Sequence, residues 1–433
     1  MSPFTPGLGN ADNSPEPLTT SNVVVGPTSL SRFNWRIVWA ISLGGMLWIA
    51  PYLAGIAILI PALVAQVDEA QKVAIVGVIA ITGALVGLVV NIIIGALSDA
   101  THTRIGARAP WVIIGGVVGA VSLLMLSSAE TIPLILLWWC VYLVGLNSLS
   151  APMLAVIADE VPDKYRGTVS ALYGVGLLIG GTLSSVVAAS FISAPRTGIA
   201  GAAALTILSA IVFLALMPLR SNKGAERRHT SFRSIAKNFR PPVKGARDYY
   251  FALIAKFCFT AGGFAITNYQ LYILTDYIRL NPADAAGLIA INGLLTLGAS
   301  VIFGFTSGPL SDKLRRRKPF VIAAALLVGL GVLFPLLAPA SWAFLAYGLL
   351  GGIGSGIFTS VDQALNIDVL PDKSQAAKDL GILNIGSTAG QLAGPVIMSV
   401  LVLTTGGYTA GFVAVLVLMV LAAAFILPIK KVR

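Results

Sequence analysis

Residues 95–99, Gly-Ala-Leu-Ser-Asp, return later in the chain as residues 308–312, Gly-Pro-Leu-Ser-Asp. Residues 161–164, Val-Pro-Asp-Lys, likewise return as residues 370–373, Leu-Pro-Asp-Lys. The loop from the pentapeptide to the next proline is four residues shorter in the second copy, which accounts for the different spacings of the two matches. One internal duplication explains all of these matches. It predicts a fold made of two related halves.

Long apolar runs surround these motifs. Of the 433 residues, 56% are hydrophobic and only 11% are charged, and the mean hydropathy is +0.87. Soluble proteins carry about 25% charged residues, so this composition excludes a soluble globular enzyme. A membrane helix needs about 20 apolar residues, and unbroken apolar runs lack the alternation of a membrane barrel. The runs predict twelve membrane helices, at residues 36–63, 72–98, 110–128, 131–158, 167–192, 197–218, 249–277, 284–310, 320–338, 341–368, 380–404 and 408–428.

The predicted fold class is an all-α membrane protein. Its 12 transmembrane helices form two six-helix pseudo-symmetric bundles, with a solute site between them near mid-membrane. The predicted domains are a disordered cytoplasmic tail at 1–31, an N-terminal six-helix bundle at 32–219, a basic cytoplasmic linker at 220–248, a C-terminal six-helix bundle at 249–429 and a cytoplasmic tail at 430–433.

The positive charge of the chain follows this topology. The net charge is +11, and 25 of the 29 Lys and Arg residues fall in the N-terminal segment, the even-to-odd loops and the C-terminal tail. The positive-inside rule therefore predicts that both termini lie in the cytoplasm. We interpret the basic stretch at 220–247 as a topological determinant, with binding of anionic lipid headgroups as the alternative. The charge thus requires no nucleic acid partner.

Acidic and basic residues gather at the cytoplasmic end of both halves. Because basic loop residues can neutralise the acidic helix ends, we predict two gating charge clusters, which one conformation makes and another breaks. A static staple of the loop is the alternative. The first cluster comprises Asp99, Arg104, Arg108, Asp159 and Glu160, and the second comprises Asp312, Arg315, Arg316, Arg317 and Asp368.

The loop from Gly95 to Trp111 resembles the signature loop between helices 2 and 3 of the major facilitator superfamily. Its Ser-Asp…Arg-x-Gly-x-Arg-x-Pro-Trp pattern is similar to that of the glycoside–pentoside–hexuronide symporters and the sucrose–proton symporter group. Tyr-Gln-Leu-Tyr at 269–272, Val-Asp-Gln-Ala-Leu at 361–365 and Ala-Lys-Asp-Leu-Gly-Ile-Leu-Asn-Ile at 377–385 also resemble this group. The superfamily resemblance covers about residues 35–429 and implies a transporter.

The chain departs from both groups in its N-terminal half. The position of the helix 4 carboxylate of the sucrose symporters is Leu143 here. Where the glycoside symporters carry acidic residues on helix 2, the polar residue here is Asn91. The resemblance therefore implies transport but does not carry over the coupling ion.

Polar and aromatic residues near mid-span predict a sugar-like site, since hydroxyl groups bind amides and sugar rings stack on aromatic faces. Helix 7 has the densest cluster. Hydrogen bonding between helices is the alternative role for each residue. The candidate solute-binding residues are Trp48, Tyr52, Asn147, Asn268, Tyr269, Gln270, Tyr272, Asn292, Asn384 and Gln391.

Asp362 is the candidate proton-coupling residue, because it lies deeper in the membrane than the other carboxylates and an intramembrane carboxylate is costly. The alternative is that Asp362 pairs with the arginines at 315–317 and supports the second charge cluster. Lys256 lies one or two turns inside helix 7. It can snorkel to the cytoplasm, bind solute directly or pair with Asp362.

These features predict a secondary active transporter, not an enzyme. It would carry a small polar solute, a sugar or glycoside, with a proton across a bacterial inner membrane by alternating access, and sodium is the alternative ion. A second hypothesis is an exporter of amphipathic compounds, and a third is a non-transporting membrane sensor. With no Gly-Lys-Ser/Thr phosphate loop and no paired histidines, we expect no metal and no cofactor. The expected partners are the bilayer, the solute and the ion, and the expected state is a monomer.

Overall fold

The computed structural model describes residues 34–218, 221, 242, 246–371 and 376–430. The described part is nearly all helical and contains 12 helices that are long and apolar enough to cross a membrane. The helices are α1 (Trp35–Val67), α2 (Lys72–Ala100), α3 (Ala109–Ser127), α4 (Ile132–Glu160), α5 (Asp163–Ala189), α6 (Pro195–Leu216), α7 (Arg247–Thr267), α8 (Pro282–Leu314), α9 (Lys318–Leu337), α10 (Ser341–Asp368), α11 (Ala376–Thr405) and α12 (Thr409–Ile426). The predicted all-α membrane fold is confirmed. The predicted tail at 1–31 and most of the predicted linker at 220–248 lie outside the described residues.

The two ends of the molecule differ in chemistry. We call the end that carries both charge clusters the basic end, and the other the opposite end. Helices α1–α6 form the N-bundle and α7–α12 form the C-bundle. The two bundles touch mainly where α2 packs on α11 and where α5 packs on α8, and residues 270–272 also contact α1.

Helices within a bundle approach closely at glycines. A side chain at Gly115 of α3 would place its Cβ 2.5 Å from the backbone nitrogen of Leu149 in α4. Gly145 of α4 is equally constrained by the backbone of Gly119 in α3. Because no larger residue fits this contact, α3 and α4 pack backbone to backbone.

Two helices are irregular near the opposite end. In α1, Gly55–Leu59 forms a π-turn just after Pro51. The continuous helix predicted at 249–277 is wrong: α7 ends at Thr267, and a short helical turn, Gln270–Tyr272, and a π-turn, Ile273–Tyr277, follow. The Asn268 side chain donates to the carbonyl of Phe264 and so competes with the backbone pattern at the break.

The largest buried apolar cluster extends across both bundles. It includes Leu59 and Ile79 of the N-bundle together with Ile273 and Phe412 of the C-bundle. A separate cluster, which contains Leu365 and Leu383, consists of C-bundle residues near the basic end. The bundles are therefore packed together mainly at the opposite end.

Candidate functional site

An ion pair joins the two bundles at the opposite end. Lys72, at the start of α2, lies 2.8 Å from a carboxylate oxygen of Asp276 in the segment after α7. The same ammonium lies 2.7 Å from Glu69 and 4.9 Å from the ring centroid of Tyr272. The Lys72 side chain is 11% exposed and that of Asp276 is 30% exposed. An ion pair with such low exposure is screened less by solvent and salt than one on an open surface.

Hydroxyl groups complete this contact. Tyr269 and Ser399 both donate to the Val73 carbonyl, at 3.0 and 3.1 Å, and Tyr272 donates to the Pro61 carbonyl at 2.8 Å. Each of these bonds runs from the C-bundle to the N-bundle. We call Lys72, Asp276, Tyr269, Tyr272 and Ser399 the polar clamp.

Tyr408 reinforces the clamp within the C-bundle. Its hydroxyl lies 3.4 Å from the second carboxylate oxygen of Asp276. Burial, and then the negative charge of Asp276, raise the pKa of the Tyr408 hydroxyl above its usual value. Tyr408 therefore remains protonated and able to donate to Asp276.

The clamp contains residues that the sequence predicts as solute ligands. Tyr269 and Tyr272 are fully buried, and their hydroxyls already donate across the bundle interface. Asn268 and Gln270, their neighbours, are also buried. Sequence inspection missed Lys72 as a functional residue, since it appears simply as the first residue of a span. The only sequence signal for this role is the negative charge of Asp276 at the end of predicted helix 7.

At the basic end, each half contains one arginine between two aspartates. Arg108 lies 2.5 Å from Asp99 and 2.7 Å from Asp159. In the second half, Arg317 lies 3.5 Å from Asp312 and 3.2 Å from Asp368. The duplicated sequence thus builds the same three-residue arrangement twice.

Both arrangements lie within a single bundle. Arg108 connects the α2–α3 loop to α4, and Arg317 connects the α8–α9 loop to α10. The other predicted members of the two clusters, Arg104, Glu160, Arg315 and Arg316, are exposed. In this conformation the two arginines hold the loops against their own bundles, and a latch role in another conformation stays a prediction.

Asp362 of α10 pairs with Lys256 of α7. The ammonium and carboxylate are 2.9 Å apart, and the side chains are 6% and 8% exposed. The alternative pairing of Asp362 with the arginines at 315–317 is wrong for this structure, because Arg317 is bound to Asp312 and Asp368. Lys256 is likewise too buried to snorkel to water.

Amide groups surround this ion pair. Asn366 donates to Asp362 at 2.8 Å, and Lys256 donates weakly to Asn384 of α11 at 3.4 Å. Phe259 and Phe358 stack with ring centroids 3.8 Å apart, one turn toward the opposite end. The Asn384 side chain is exposed and therefore lies between the buried Lys256 ammonium and the space accessible from outside the protein.

The N-bundle contributes a second amide pair. Asn91 of α2 is exposed and donates to Asn147 of α4 at 3.2 Å. Asn91 lies nine residues from the basic end of its helix, as Lys256 does in α7, or about 14 Å at 1.5 Å per residue. The two sets of polar groups therefore occupy a similar depth in the two bundles.

The remaining predicted solute residues are dispersed. Trp48 and Tyr52 are half-buried on α1, where Tyr52 stacks on Trp139 at 6.2 Å. Asn292 of α8 is buried against Gly348 of α10, and Gln391 of α11 is half-buried. The structure thus groups Asn147 with Asn91 and Asn384 with Lys256, and it does not bring all ten residues into one site.

Comparison with known proteins agrees with this architecture. A family model described as the Major Facilitator Superfamily matches residues 45–307 and 288–433. This chain belongs to the Major Facilitator Superfamily. Its members move solutes across membranes, so the chain is a multi-pass membrane transporter rather than an enzyme. It is 25% identical over 362 residues to Sugar efflux transporter A of Dickeya chrysanthemi, covering 81% of this chain and 85% of the relative.

Solved superfamily structures share the fold. A bacterial homologue of the human lysosomal transporter Spinster, in an inward-facing and occupied conformation, superposes with a TM-score of 0.68 at 15% identity, covering 93% of this chain and 97% of the other. A peptide transporter, POT, in complex with sulfate, gives a TM-score of 0.70 at 16% identity, covering 90% and 94%.

Proposed function

We propose that this superfamily member is a secondary active transporter of a small polar solute, a sugar or glycoside, that works by alternating access with a coupled proton. The observation that carries the proposal is the position of the inter-bundle contacts: the polar clamp and the large apolar cluster join the bundles at the opposite end. In alternating access one bundle rocks against the other, and this motion requires such a contact to open.

The amides at mid-depth support a sugar as the solute. Asn91, Asn147 and Asn384 offer donors and acceptors on both bundles, and sugar hydroxyls need both. The resemblance to the sucrose–proton and glycoside symporters favours the same class of solute. Trp48, Tyr52, Asn292 and Gln391 stay in the proposed set, whereas Asn268, Tyr269, Gln270 and Tyr272 would reach the solute after the clamp opens.

Asp362 is the proposed proton carrier. It is a buried carboxylate with an ionic partner on another helix, and such groups in membranes commonly serve ion or proton transfer. We further propose that the basic end faces the cytoplasm of a bacterial inner membrane and that the transporter works as a monomer. The charge distribution of the sequence supports this orientation.

Export is the second candidate direction. It is favoured by the relative named Sugar efflux transporter A and by the lack of a deep carboxylate in the N-terminal half. Because the N-terminal half lacks a deep carboxylate, amphipathic compounds are an alternative cargo.

Uptake into proteoliposomes tests the proposal. Purified protein of known orientation would be assayed with a panel of labelled sugars and glycosides, with and without a pH gradient. We expect at least one sugar to accumulate when the gradient is present. If no sugar of the panel accumulates or shows counterflow, and the protein exports a fluorescent amphipathic dye, the result favours amphipathic compounds as the cargo.

A further inference from the structure

The Lys256–Asp362 pair is electrically neutral as a unit. Its ammonium and carboxylate are 2.9 Å apart, and both side chains are less than a tenth exposed. In such surroundings each charge depends on the other, since an isolated buried charge is far costlier than a buried pair. Any change in the charge of one partner must therefore be compensated nearby.

The charged and titratable neighbours do not supply that compensation. On α10, Asp368 is bound to Arg317. On α11, the buried Asp379 lies five residues nearer the basic end than Asn384, or about 7.5 Å at 1.5 Å per residue. On α7, the hydroxyl of Tyr249 donates to the Asp379 carbonyl. On α9, Lys318 donates to the Leu427 carbonyl of the segment after α12. The groups nearest the pair, Asn366 and Asn384, are neutral amides.

Protonation of Asp362 would consequently leave the Lys256 ammonium buried without a counter-ion. A neutral sugar cannot replace the lost charge. A solute carboxylate can, because an ammonium binds a carboxylate of the solute as well as one of the protein. The proton and an anionic solute would then each make binding of the other favourable, which is a direct form of coupling.

We propose that the solute is an organic monoanion, a sugar carboxylate, which pairs with Lys256 while the proton resides on Asp362. This inference rests on the proposed function and specifies its substrate class. The proton enters from the aqueous phase onto the Asp362 carboxylate, and the solute carboxylate takes the place that Asp362 occupied beside the ammonium. One proton and one monoanion cross together, so each cycle moves no net charge.

The surroundings of Lys256 offer a route for this exchange. Asn384 is exposed and its amide oxygen lies 3.4 Å from the ammonium, so the ammonium is one hydrogen bond away from accessible space. The stacked rings of Phe259 and Phe358 cover the pair on the side of the opposite end. A solute would therefore approach from the basic end, at the depth of Asn91 and Asn147.

Matched sugars test the inference with the full-length protein in proteoliposomes. Labelled D-glucose and D-glucuronate, and D-galactose and D-galacturonate, differ only in a hydroxymethyl or a carboxylate group at carbon 6. We expect a sugar acid to accumulate at least about tenfold over its neutral partner, since a charged hydrogen bond contributes about 1.5–3 kcal/mol. Accumulation should follow the pH gradient and should not respond to a potassium diffusion potential.

The outcomes separate the two proposals. If a neutral sugar accumulates and its acid does not, the transporter proposal stands and the anion proposal is overturned. Uptake of the acid that is driven by membrane potential would also overturn it. If neither member of any pair accumulates or exchanges, the proposed sugar transport fails and the anion proposal fails with it.

Variants assign the roles of the two residues. Lys256→Gln should lower exchange of the sugar acid at least about tenfold. Asp362→Asn should retain exchange but lose accumulation driven by the pH gradient. Lys313→Gln, at an exposed lysine of the same bundle, is the matched control. Because each single variant leaves an unpaired buried group, the double variant Lys256→Gln/Asp362→Asn provides a neutral protein, and undiminished exchange of the acid by it would contradict the role of Lys256.

Discussion

At the residue scale, Asp276 contributes the charge that holds Lys72 across the bundle interface. Without that charge, the remaining ionic partner of Lys72 is Glu69. Because the Glu69 side chain is 71% exposed, the Lys72–Glu69 ion pair is weak. Tyr408 also loses its anionic acceptor. The polar clamp should then open more often, while the remaining tyrosine bonds and the apolar cluster keep the protein folded.

Asp276→Asn should weaken closure of the opposite end by about 1.5–3 kcal/mol, the range for loss of a hydrogen bond to a charged group. Hydrogen–deuterium exchange of the protein in lipid nanodiscs would show it as faster exchange in residues 269–280. Glu130→Gln removes an exposed carboxylate at the same end and serves as the control. Equal exchange in Asp276→Asn and wild type would show that the ion pair does not hold this end closed.

Arg108 makes a second prediction at this scale. Arg108→Gln breaks ion pairs to Asp99 and Asp159, whose side chains are 43% and 42% exposed. Solvent screening limits the loss, and we expect the free energy of unfolding to fall by about 1 kcal/mol. The neighbouring Arg104 is exposed, so Arg104→Gln should leave the melting temperature in detergent unchanged. An identical drop in both variants would assign the effect to net charge rather than to the bridge.

At the scale of elements, the contact between α3 and α4 depends on glycine. In Gly115→Ala the new methyl group meets the α4 backbone, which cannot move aside as a flexible side chain would. We expect a loss of about 1–3 kcal/mol, typical of overpacking. Gly201 of α6 has open space around it, so Gly201→Ala should be neutral or slightly stabilising. Thermal unfolding of the two variants provides the comparison, and equal stability would contradict the close packing.

The elements also show where sequence inspection reaches its limit. The apolar runs predict all twelve helices, because a membrane leaves the backbone few alternatives to a helix. They do not predict the break after Thr267, where the Asn268 side chain donates to the Phe264 carbonyl, because an apolar run carries no signal for such a local hydrogen bond. As a result, the sequence predicts Tyr269 and Tyr272 as solute ligands but does not predict that their hydroxyls also join the two bundles in the polar clamp.

At the scale of the whole molecule, the duplicated motifs predict two related bundles, and Arg108 and Arg317 each lie between two aspartates at corresponding positions of the two halves. Pairings between helices are harder to predict. Lys256 faces Asp362 only because of the way in which α7 and α10 are rotated against each other, and no local pattern encodes that rotation. The Lys72–Asp276 pair likewise depends on the two bundles being in contact at the opposite end.

A reversible cross-link across the clamp tests alternating access most directly. A Cβ at Gly77 of α2 would lie 2.8 Å from Cβ of Ser399 in α11, and disulfides need about 3.5–4.5 Å, so a small shift suffices. The variant Gly77→Cys/Ser399→Cys would be oxidised in proteoliposomes and assayed with the best-transported sugar. We predict that oxidation stops transport and that reduction restores it, while each single variant is insensitive to oxidant. Undiminished transport by the fully cross-linked protein would contradict the proposal that the bundles must separate at this end.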